Sequence, residues 1–326
     1  MHRREVLILL NAALLSALRS RCGVAETMSP TLRVGMATIV PRNAPHIIAF
    51  VERMAVLGFH EGDNFSLEHV PVTGIEGYDG AFRELSRRNV NIYVAFGNEV
   101  AASAARRAAQ GAPVVLLALA FDPFAKGYAA SLAHPGGNIT GLFARQVELA
   151  AKRVELLREA LPRTRRMGVL WDLASQDQAA AARTEAQRLA LAADLVEIRG
   201  KPPDYEAALA SFSNADREPV IIPESPVFVR DQVMLGRLLV ERHLPAIGAS
   251  REDAQAGAIL SYGVNLSGAL RDIADYVARI AKGARPRDLP IEQPRSFELL
   301  VNLKTANLLG IAIPSTLLAR ADEVIE

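Results

Sequence analysis

Short apolar runs alternate with amphipathic stretches along most of the chain. The runs predict a first series of strands at Leu32–Val40, Phe65–Val72, Ile92–Gly97, Val114–Ala120 and Ile139–Phe143. A second series follows at Arg166–Trp171, Leu195–Arg199, Val220–Pro223, Ala246–Ala249 and Ala258–Tyr262, with a last strand at Phe297–Leu303. Several runs, such as VVLLALA and PVII, are almost continuously apolar, as in strands covered on both faces. The stretches between them predict helices over Ala44–Leu57, Glu148–Leu161, Gln178–Ala193 and Ser267–Ala281. Gly58, Pro162 and Gly283 supply stops for three of these.

Strands alternating with helices predict parallel sheets built from right-handed βαβ units. Two series of five strands predict an α/β fold with two similar lobes rather than one large sheet. The turn chemistry of HPGGNITG (residues 134–141) places the lobe boundary near Gly141 to Gln146. No strand–loop–helix fingerprint surrounds Gly136-Gly137, so the pair reads as a tight turn rather than a phosphate cradle. There is no short-period repeat or low-complexity tract.

The N-terminus changes the picture. Arg3-Arg4 precede an apolar stretch from Val6 to Leu18, and Gly23-Val24-Ala25 offers small residues for cleavage, so residues 1–25 read as an export signal. That stretch is too short to span a bilayer of about 30 Å as a helix. Arg3-Arg4-Glu5 partly resembles a twin-arginine signal, and Sec export fits as well. Arg19-Ser20-Arg21 before Cys22, the only cysteine, argues against lipid anchoring there. Cleavage after Ala25 leaves a chain with no thiol and no disulfide. The expected location is the periplasm. The formal net charge is +1, and residues 1–25 hold four Arg against one Glu, so the remaining body is close to neutral. Half of the residues are hydrophobic, a globular composition with no electrostatic footprint for nucleic acid.

Catalytic signatures are missing. There is no G-x-G-x-x-G after the first strand, no Walker A loop and no G-x-S-x-G elbow. The six His are scattered without metal-ligand spacing, so no metal and no cofactor is expected. Architecture supplies the candidates instead. In open parallel sheets ligands bind beyond the carboxyl ends of strands, where loops and helix N-termini present free N–H groups. The residues there are Thr38, Asn98, Glu99, Phe121 and Asp122 in the first lobe. Trp171, Asp172, Glu224, Ser225 and Tyr262 follow in the second. Glu99, Asp122 and Glu224 suit an ammonium; Thr38, Asn98 and Ser225 suit a carboxylate or other polar oxygen. Phe121, Trp171 and Tyr262 suit an apolar or aromatic part. For Glu99 and Asp122 a plain helix-start charge is the alternative, and for Trp171 it is packing between lobe and loop.

The motifs HPGGNITGL (134–142), AKRVELLREALP (151–162), LSYG (260–263) and above all the tail from Leu289 to Glu326 carry a resemblance. The opening RRE and LGFHEGDNFSLEH (57–69) fit it too. The sequence resembles the ABC-transporter substrate-binding proteins related to tryptophan/tyrosine-type binding proteins. The resemblance implies a periplasmic-binding-protein type I fold, with two Rossmann-like lobes joined by a hinge and ligand in the cleft. Lobe 1 is then expected over 31–142 plus 263–290, and lobe 2 over 143–262 plus 291–326. It implies a monomer that binds a small polar ligand, an amino acid or small aromatic or carboxylate compound, by hinge closure. Its partner is then a permease in the inner membrane. A ligand sensor for a membrane receptor, or an enzyme on the same scaffold, is the alternative. The cleft loops depart from the family's pattern. Thr38–Asn43 replaces a small Ser/Gly-rich loop, Gly97-Asn98-Glu99 a Thr/Gly/Ser-rich one, and Trp171–Ala174 an Asn/Pro-rich one. The family's aromatic amino acid is therefore not carried over as ligand.

Overall fold

Alternation of side chains along the strands divides the interior into four layers in the computed structural model, which describes residues 31–200, 202–212 and 218–326. The proposed export signal and Cys22 lie outside the described residues. In the first half, β1 (Leu32–Thr38), α1 (Pro45–Val56), β2 (Phe65–Pro71), α2 (Tyr78–Arg87), β3 (Ile92–Gly97), α3 (Glu99–Ala109), β4 (Val114–Ala118) and β5 (Ile139–Phe143) follow in order. The second half repeats the plan with α4 (Gln146–Ala160), β6 (Arg166–Trp171), α5 (Gln176–Arg188), β7 (Ala192–Glu197), α6 (Tyr205–Ala210), β8 (Val220–Ile221), α7 (Pro226–Glu241), β9 (Ala246–Gly248), α8 (Arg251–Ala256) and β10 (Leu260–Val264). The tail adds α9 (Leu266–Ala281), β11 (Ile291–Glu292), β12 (Phe297–Asn302), α10 (Leu303–Leu308), α11 (Ser315–Leu318) and β13 (Glu323–Ile325).

The first sheet has the order β11-β5-β4-β3-β1-β2, parallel throughout. The second has the order β13-β12-β10-β9-β8-β6-β7, parallel except where β12 meets β10. Each contains the same doubly wound core, in which the strand order reverses once. The reversals fall between β1 and β3 and between β6 and β8, where an open sheet leaves a crevice at its carboxyl edge.

Val34, Met36, Val94, Phe96, Val115 and Leu117 face α1 and α9 on one side of the first sheet. Their neighbours Ala37, Tyr93, Ala95, Val114 and Leu116 face α2 and α3 on the other. Met167, Val169, Ile221 and Ile247 face α4 and α5 in the second lobe, and Leu170, Val220 and Ala246 face α6 and α7. Each fully buried large apolar side chain contributes roughly 1.5–3 kcal/mol. This two-sided burial is why the strands read as continuous apolar runs.

The chain passes between the sheets three times: after β5 into α4, after β10 into α9, and between β11 and β12. Arg145, at the first crossing, takes a left-handed φ of 51°. The other two crossings are tied together, because Asn265 N donates to Ser296 O at 3.0 Å and Asn265 Nδ2 to Glu298 Oε2 at 3.0 Å. Gly141 in β5 is required: its φ is +136°, and a Cβ there would sit 2.1 Å from Leu116 O.

Three sequence expectations shift. The helix expected over Gln178–Ala193 stops at Arg188, and β7 begins at Ala192 rather than Leu195. Ala190 turns left-handed (φ 56°), and Leu191 N closes the turn onto Ala186 O at 2.8 Å, with Leu191 buried. Helix propensity in that alanine-rich run yields to the burial of Leu191. The sheets also exceed five strands: β11 pairs with β5, so Ile291 and Glu292 join the first sheet, and β13 adds an edge beyond β12.

Candidate functional site

Nine of the ten candidates sit at or just beyond the carboxyl end of a strand, whereas Tyr262 lies in the middle of β10, which runs on to Val264; several of the ten are already engaged with their neighbours. Thr38, at the end of β1, is buried, and its hydroxyl accepts from Val40 N at 3.3 Å. Asn98 caps α3 by accepting from Ala101 N at 3.0 Å. Glu99 accepts from Tyr128 Oη at 2.5 Å, under a ring that Arg106 covers at 4.9 Å. Burial, and then the Glu99 carboxylate, raise the Tyr128 hydroxyl. Phe121 packs edge-on against the same tyrosine at 5.8 Å. Asp122 is exposed and closes a local turn, accepting from Phe124 N at 2.7 Å and Ala125 N at 3.1 Å. In the first lobe, then, Glu99 and Asp122 already have partners within the protein.

In the second lobe Asp172 and Ser225 bind each other. Ser225 Oγ donates to Asp172 Oδ2 at 2.5 Å while accepting from Val227 N at the start of α7. Ser175 donates to Asp172 Oδ1 from both its hydroxyl (2.6 Å) and its N–H (3.0 Å). This buried knot fixes the loops after β6 and β8 side by side at the sheet's reversal point. Trp171, one residue earlier, packs on the α4–α5 layer, and its indole Nε1 is buried without a hydrogen-bond partner. An unpaired buried donor costs about 1–3 kcal/mol, so it marks a place that an acceptor fits.

Glu224 differs from the other carboxylates. Gln178, from α5, clamps its backbone in both directions: Nε2 donates to Glu224 O at 2.8 Å, and Glu224 N donates to Oε1 at 3.0 Å. Its carboxylate has no hydrogen-bond partner among the described residues. Burial, then repulsion from Asp253, push that carboxyl up to about 7 against the attraction of Arg153.

Arg153 is the residue that sequence reading passed over. It is 0% exposed on α4, donating from Nε to Tyr262 O at 2.8 Å and from Nη2 to Gln146 Oε1 at 2.8 Å, while Nη1 has no partner. Burial lowers it to about 10, with Glu224 and then Asp253 acting the other way, so it stays charged at neutral pH. Asp253 is buried in a capping box, where Oδ2 accepts from Ala249 N and Ser250 N, each at 2.9 Å. Burial raises the Asp253 carboxyl while those hydrogen bonds oppose the rise. Tyr262 stacks on Phe297 at 6.3 Å and packs against the cores of both lobes.

His46, at the start of α1, belongs with this set. It is 7% exposed, lies edge-on to Phe96 at 5.6 Å, and has no partner at Nε2. Burial lowers its pKa, and Glu252 of the opposite lobe acts against that shift. Ser261 Oγ is buried and unpartnered as well. The signal for Arg153 was present: Leu149, Ala150, Val154 and Leu157 place it on the core face of α4, where an arginine needs a reason. The S-R-E-D capping box was likewise visible at 250–253. His46 had no comparable signal.

The arrangement offers a fixed cation with a free donor, a carboxylate with free acceptors and aromatic faces, at the carboxyl ends of strands. Among the described residues no group of three His, Cys, Asp or Glu is placed to hold a metal ion. A shallow concavity lined by Leu303, Lys304, Asn307 and Glu326 lies at the opposite end of the second sheet. Among the described residues no helix is long and apolar enough to cross a membrane.

Known proteins match this chain in sequence family and in fold. The family described as ABC transporter substrate binding protein matches residues 80–325. The Tyrosine-binding protein of Clostridioides difficile (strain R20291) is 19% identical over 280 residues, which cover 80% of this chain and 75% of the relative. A conserved domain protein from Vibrio cholerae has a crystal structure with a TM-score of 0.78 at 22% identity, covering 90% of this chain and 99% of the other. An ABC domain from Streptococcus pneumonia in complex with L-Trp has a TM-score of 0.76 at 18% identity, covering 90% and 100%. The likeness to the two solved structures is one of fold, that of the periplasmic binding proteins of type I.

Proposed function

The chain belongs to the ABC transporter substrate binding protein family, and from that premise we propose that it captures a free amino acid, with an aromatic or apolar side chain, in the cleft between its lobes. The observation that carries this reading is the set of unsatisfied polar atoms on Arg153 and Glu224. One is a buried cation with a free N–H, the other a carboxylate without a hydrogen bond, and each acts on the charge of the other. A zwitterion presents the complementary carboxylate and ammonium on one carbon. Trp171, Tyr262 and Phe121 cover its side chain, and Asn98 and the α3 N-terminus close on it from the first lobe. The similar Tyrosine-binding protein and the L-Trp complex favour this ligand class.

Contacts from both lobes stabilise a closed state by the ligand's differential affinity for it, through a hinge at the three crossings. The closed protein, exported as a monomer to the periplasm, then presents its cargo to a permease in the inner membrane, and the ligand leaves chemically unchanged.

The test is a titration with L-tryptophan, L-tyrosine and L-phenylalanine, read by thermal shift and, for the non-indole ligands, by Trp171 fluorescence. A ligand at about a hundred times its Kd stabilises by about 2.7 kcal/mol, a rise of several degrees in Tm. No saturable response to these or to the other amino acids, or turnover of the one that binds, refutes the reading.

A further inference from the structure

Two phenylalanines stand outside the cores. Every other Phe, Tyr and Trp among the described residues is buried or packs against one of the four core layers, Trp171, Tyr262 and Phe121 included. Phe124 and Phe143 do neither. Both are partly exposed, and they pack on each other edge to face, with ring centroids 6.0 Å apart and planes at 68°. Their place in the fold is that of the candidate site. Phe143 is the last residue of β5 and pairs in register with Ala118, the last residue of β4, so it stands at the carboxyl edge of the first sheet. The residues after it, Ala144 and Arg145, begin the first crossing between the lobes. Phe124 belongs to the loop that follows β4. Asp122 Oδ1 accepts from Phe124 N at 2.7 Å, Gly127 N donates to Phe124 O at 2.9 Å, and Tyr128 N donates to Pro123 O at 2.8 Å, so the turn that carries Phe124 is held on both sides. Leu119 N and Ala120 N both donate to Gly97 O, at 3.0 and 3.1 Å, which sets the start of this loop beside Asn98 and α3.

We propose that Phe124 and Phe143 form a platform of the first lobe on which a ring of the ligand stacks, and that these two side chains set a preference for a ring over an aliphatic side chain. This rests on the reading of the cleft as an amino-acid site. Apolar surface that the cores leave partly in water is stabilised by whatever covers it. A third ring joins an edge-to-face pair in the same offset or edge-on geometries, a contact worth up to about tenfold in affinity beyond the area it covers. An aliphatic side chain covers the same area without that contact. A ligand gripped at its polar end by Arg153 and Glu224 of the second lobe, and at its ring by this pair, bridges the two lobes beside the first crossing. Asp122 is then a positioning residue: its carboxylate holds the turn that carries Phe124 rather than the ammonium of the ligand.

The probes are L-tryptophan, L-tyrosine, L-phenylalanine and L-leucine, titrated by calorimetry into the wild type, Phe124→Leu, Phe143→Leu and the double variant. Leucine keeps an apolar side chain at each position and removes the ring. Each single variant is expected to lose about fivefold in affinity for the aromatic ligands and less than about twofold for L-leucine, so that the preference for a ring narrows. Equal losses for both classes of ligand, or wild-type affinity for all of them, overturn the proposal. A second readout needs neither binding of L-leucine nor a folded leucine variant. The wild type is labelled with para-fluorophenylalanine, and the fluorine resonances of positions 124 and 143 are assigned from Phe124→Tyr and Phe143→Tyr, which keep the ring. Saturation with L-tryptophan is expected to shift these two resonances by ring current more than those of the buried phenylalanines. If both stay unmoved while an aromatic ligand binds, the proposal falls and the amino-acid reading stands. Failure of the wild type to bind any amino acid overturns both.

Discussion

Arg153→Met removes the buried charge while keeping most of the volume of the side chain. Tyr262 O and Gln146 Oε1 then lose their donors, at about 1–3 kcal/mol for each acceptor left buried and unpaired. Breaking a buried ion cluster by deleting one partner costs about 3–5 kcal/mol, because the other charge stays behind. Here Glu224 limits that cost: a carboxyl already titrating near 7 takes up a proton in place of the missing cation. The net loss is therefore expected at about 3 kcal/mol near pH 8, where Glu224 is ionised, and about 2 kcal/mol near pH 6, where a proton stands in for the arginine. Urea unfolding followed by circular dichroism at the two pH values measures both numbers, with m held constant as the check on two-state behaviour. Adding Glu224→Gln closes a double-mutant cycle, with a coupling of about 1 kcal/mol or more expected near pH 8 and a smaller one near pH 6. A variant as stable as the wild type at both pH values, or one that loses more at the lower pH, refutes the charge assignment.

Three further outcomes follow from the same geometry. Gly141→Ala places a methyl group 2.1 Å from Leu116 O at a φ of +136°, so β4 and β5 must part; loss of soluble protein, or a stability drop above about 3 kcal/mol, is expected. Gly137→Ala, where no atom lies within 4 Å, is the neutral control on expression yield and Tm. Ser225→Ala removes the α7 cap and the bond to Asp172 together, at about 2 kcal/mol in chemical denaturation, since Ser175 still holds that carboxylate. Stability also carries a pH signature. The Glu224 carboxyl titrates at about 7 in the folded chain against an ordinary value of 4.5, so the folded state holds the extra proton. Its contribution is full below about pH 4.5 and is lost as the pH rises through about 7, a difference of about 3 kcal/mol. Comparing Tm against pH for the wild type and Glu224→Gln isolates it, and parallel curves contradict it.

The architecture was legible because strands buried on both faces leave an unbroken apolar record: Val114–Ala118 is apolar at every position and buried at every position. The ends of elements were less legible where a single contact decided them, as Leu191 did against the helical preference of its alanine neighbours. The site was legible as a location and not as a set of partners. Asp122 carries its turn within its own sequence, so its local role was readable. Glu99 meets Tyr128 and Asp172 meets Ser225 only because the fold brings distant segments together. Arg153 lay hidden for the opposite reason: it sits within a helical pattern, and no loop or strand end drew attention to it.

The position of Arg153 joins the chemistry of the cleft to the mechanics of the chain. Gln146 stands just after the first crossing between the lobes and Tyr262 just before the second, and one guanidinium holds both. Tyr262 in turn stacks on Phe297, which opens β12 beyond the third crossing, and Asn265 ties the second crossing to the third. Under the proposed reading a ligand carboxylate engages Nη1 of the same planar group. Any rotation it imposes strains the bonds to Tyr262 O and Gln146 at once, because the five N–H donors of a guanidinium move as a rigid fork. A ligand bound only by apolar contacts at Trp171 has no such lever. Such a ligand shifts the lobes only by what it gains from touching both, whereas a zwitterion adds the difference in its own contacts with Arg153 and Glu224 between the two states. Amino acids should therefore close the protein more completely than their uncharged analogues at equal occupancy, a difference visible as a smaller radius of gyration in solution scattering. Equal compaction by both classes of ligand would separate the charge cluster from the hinge.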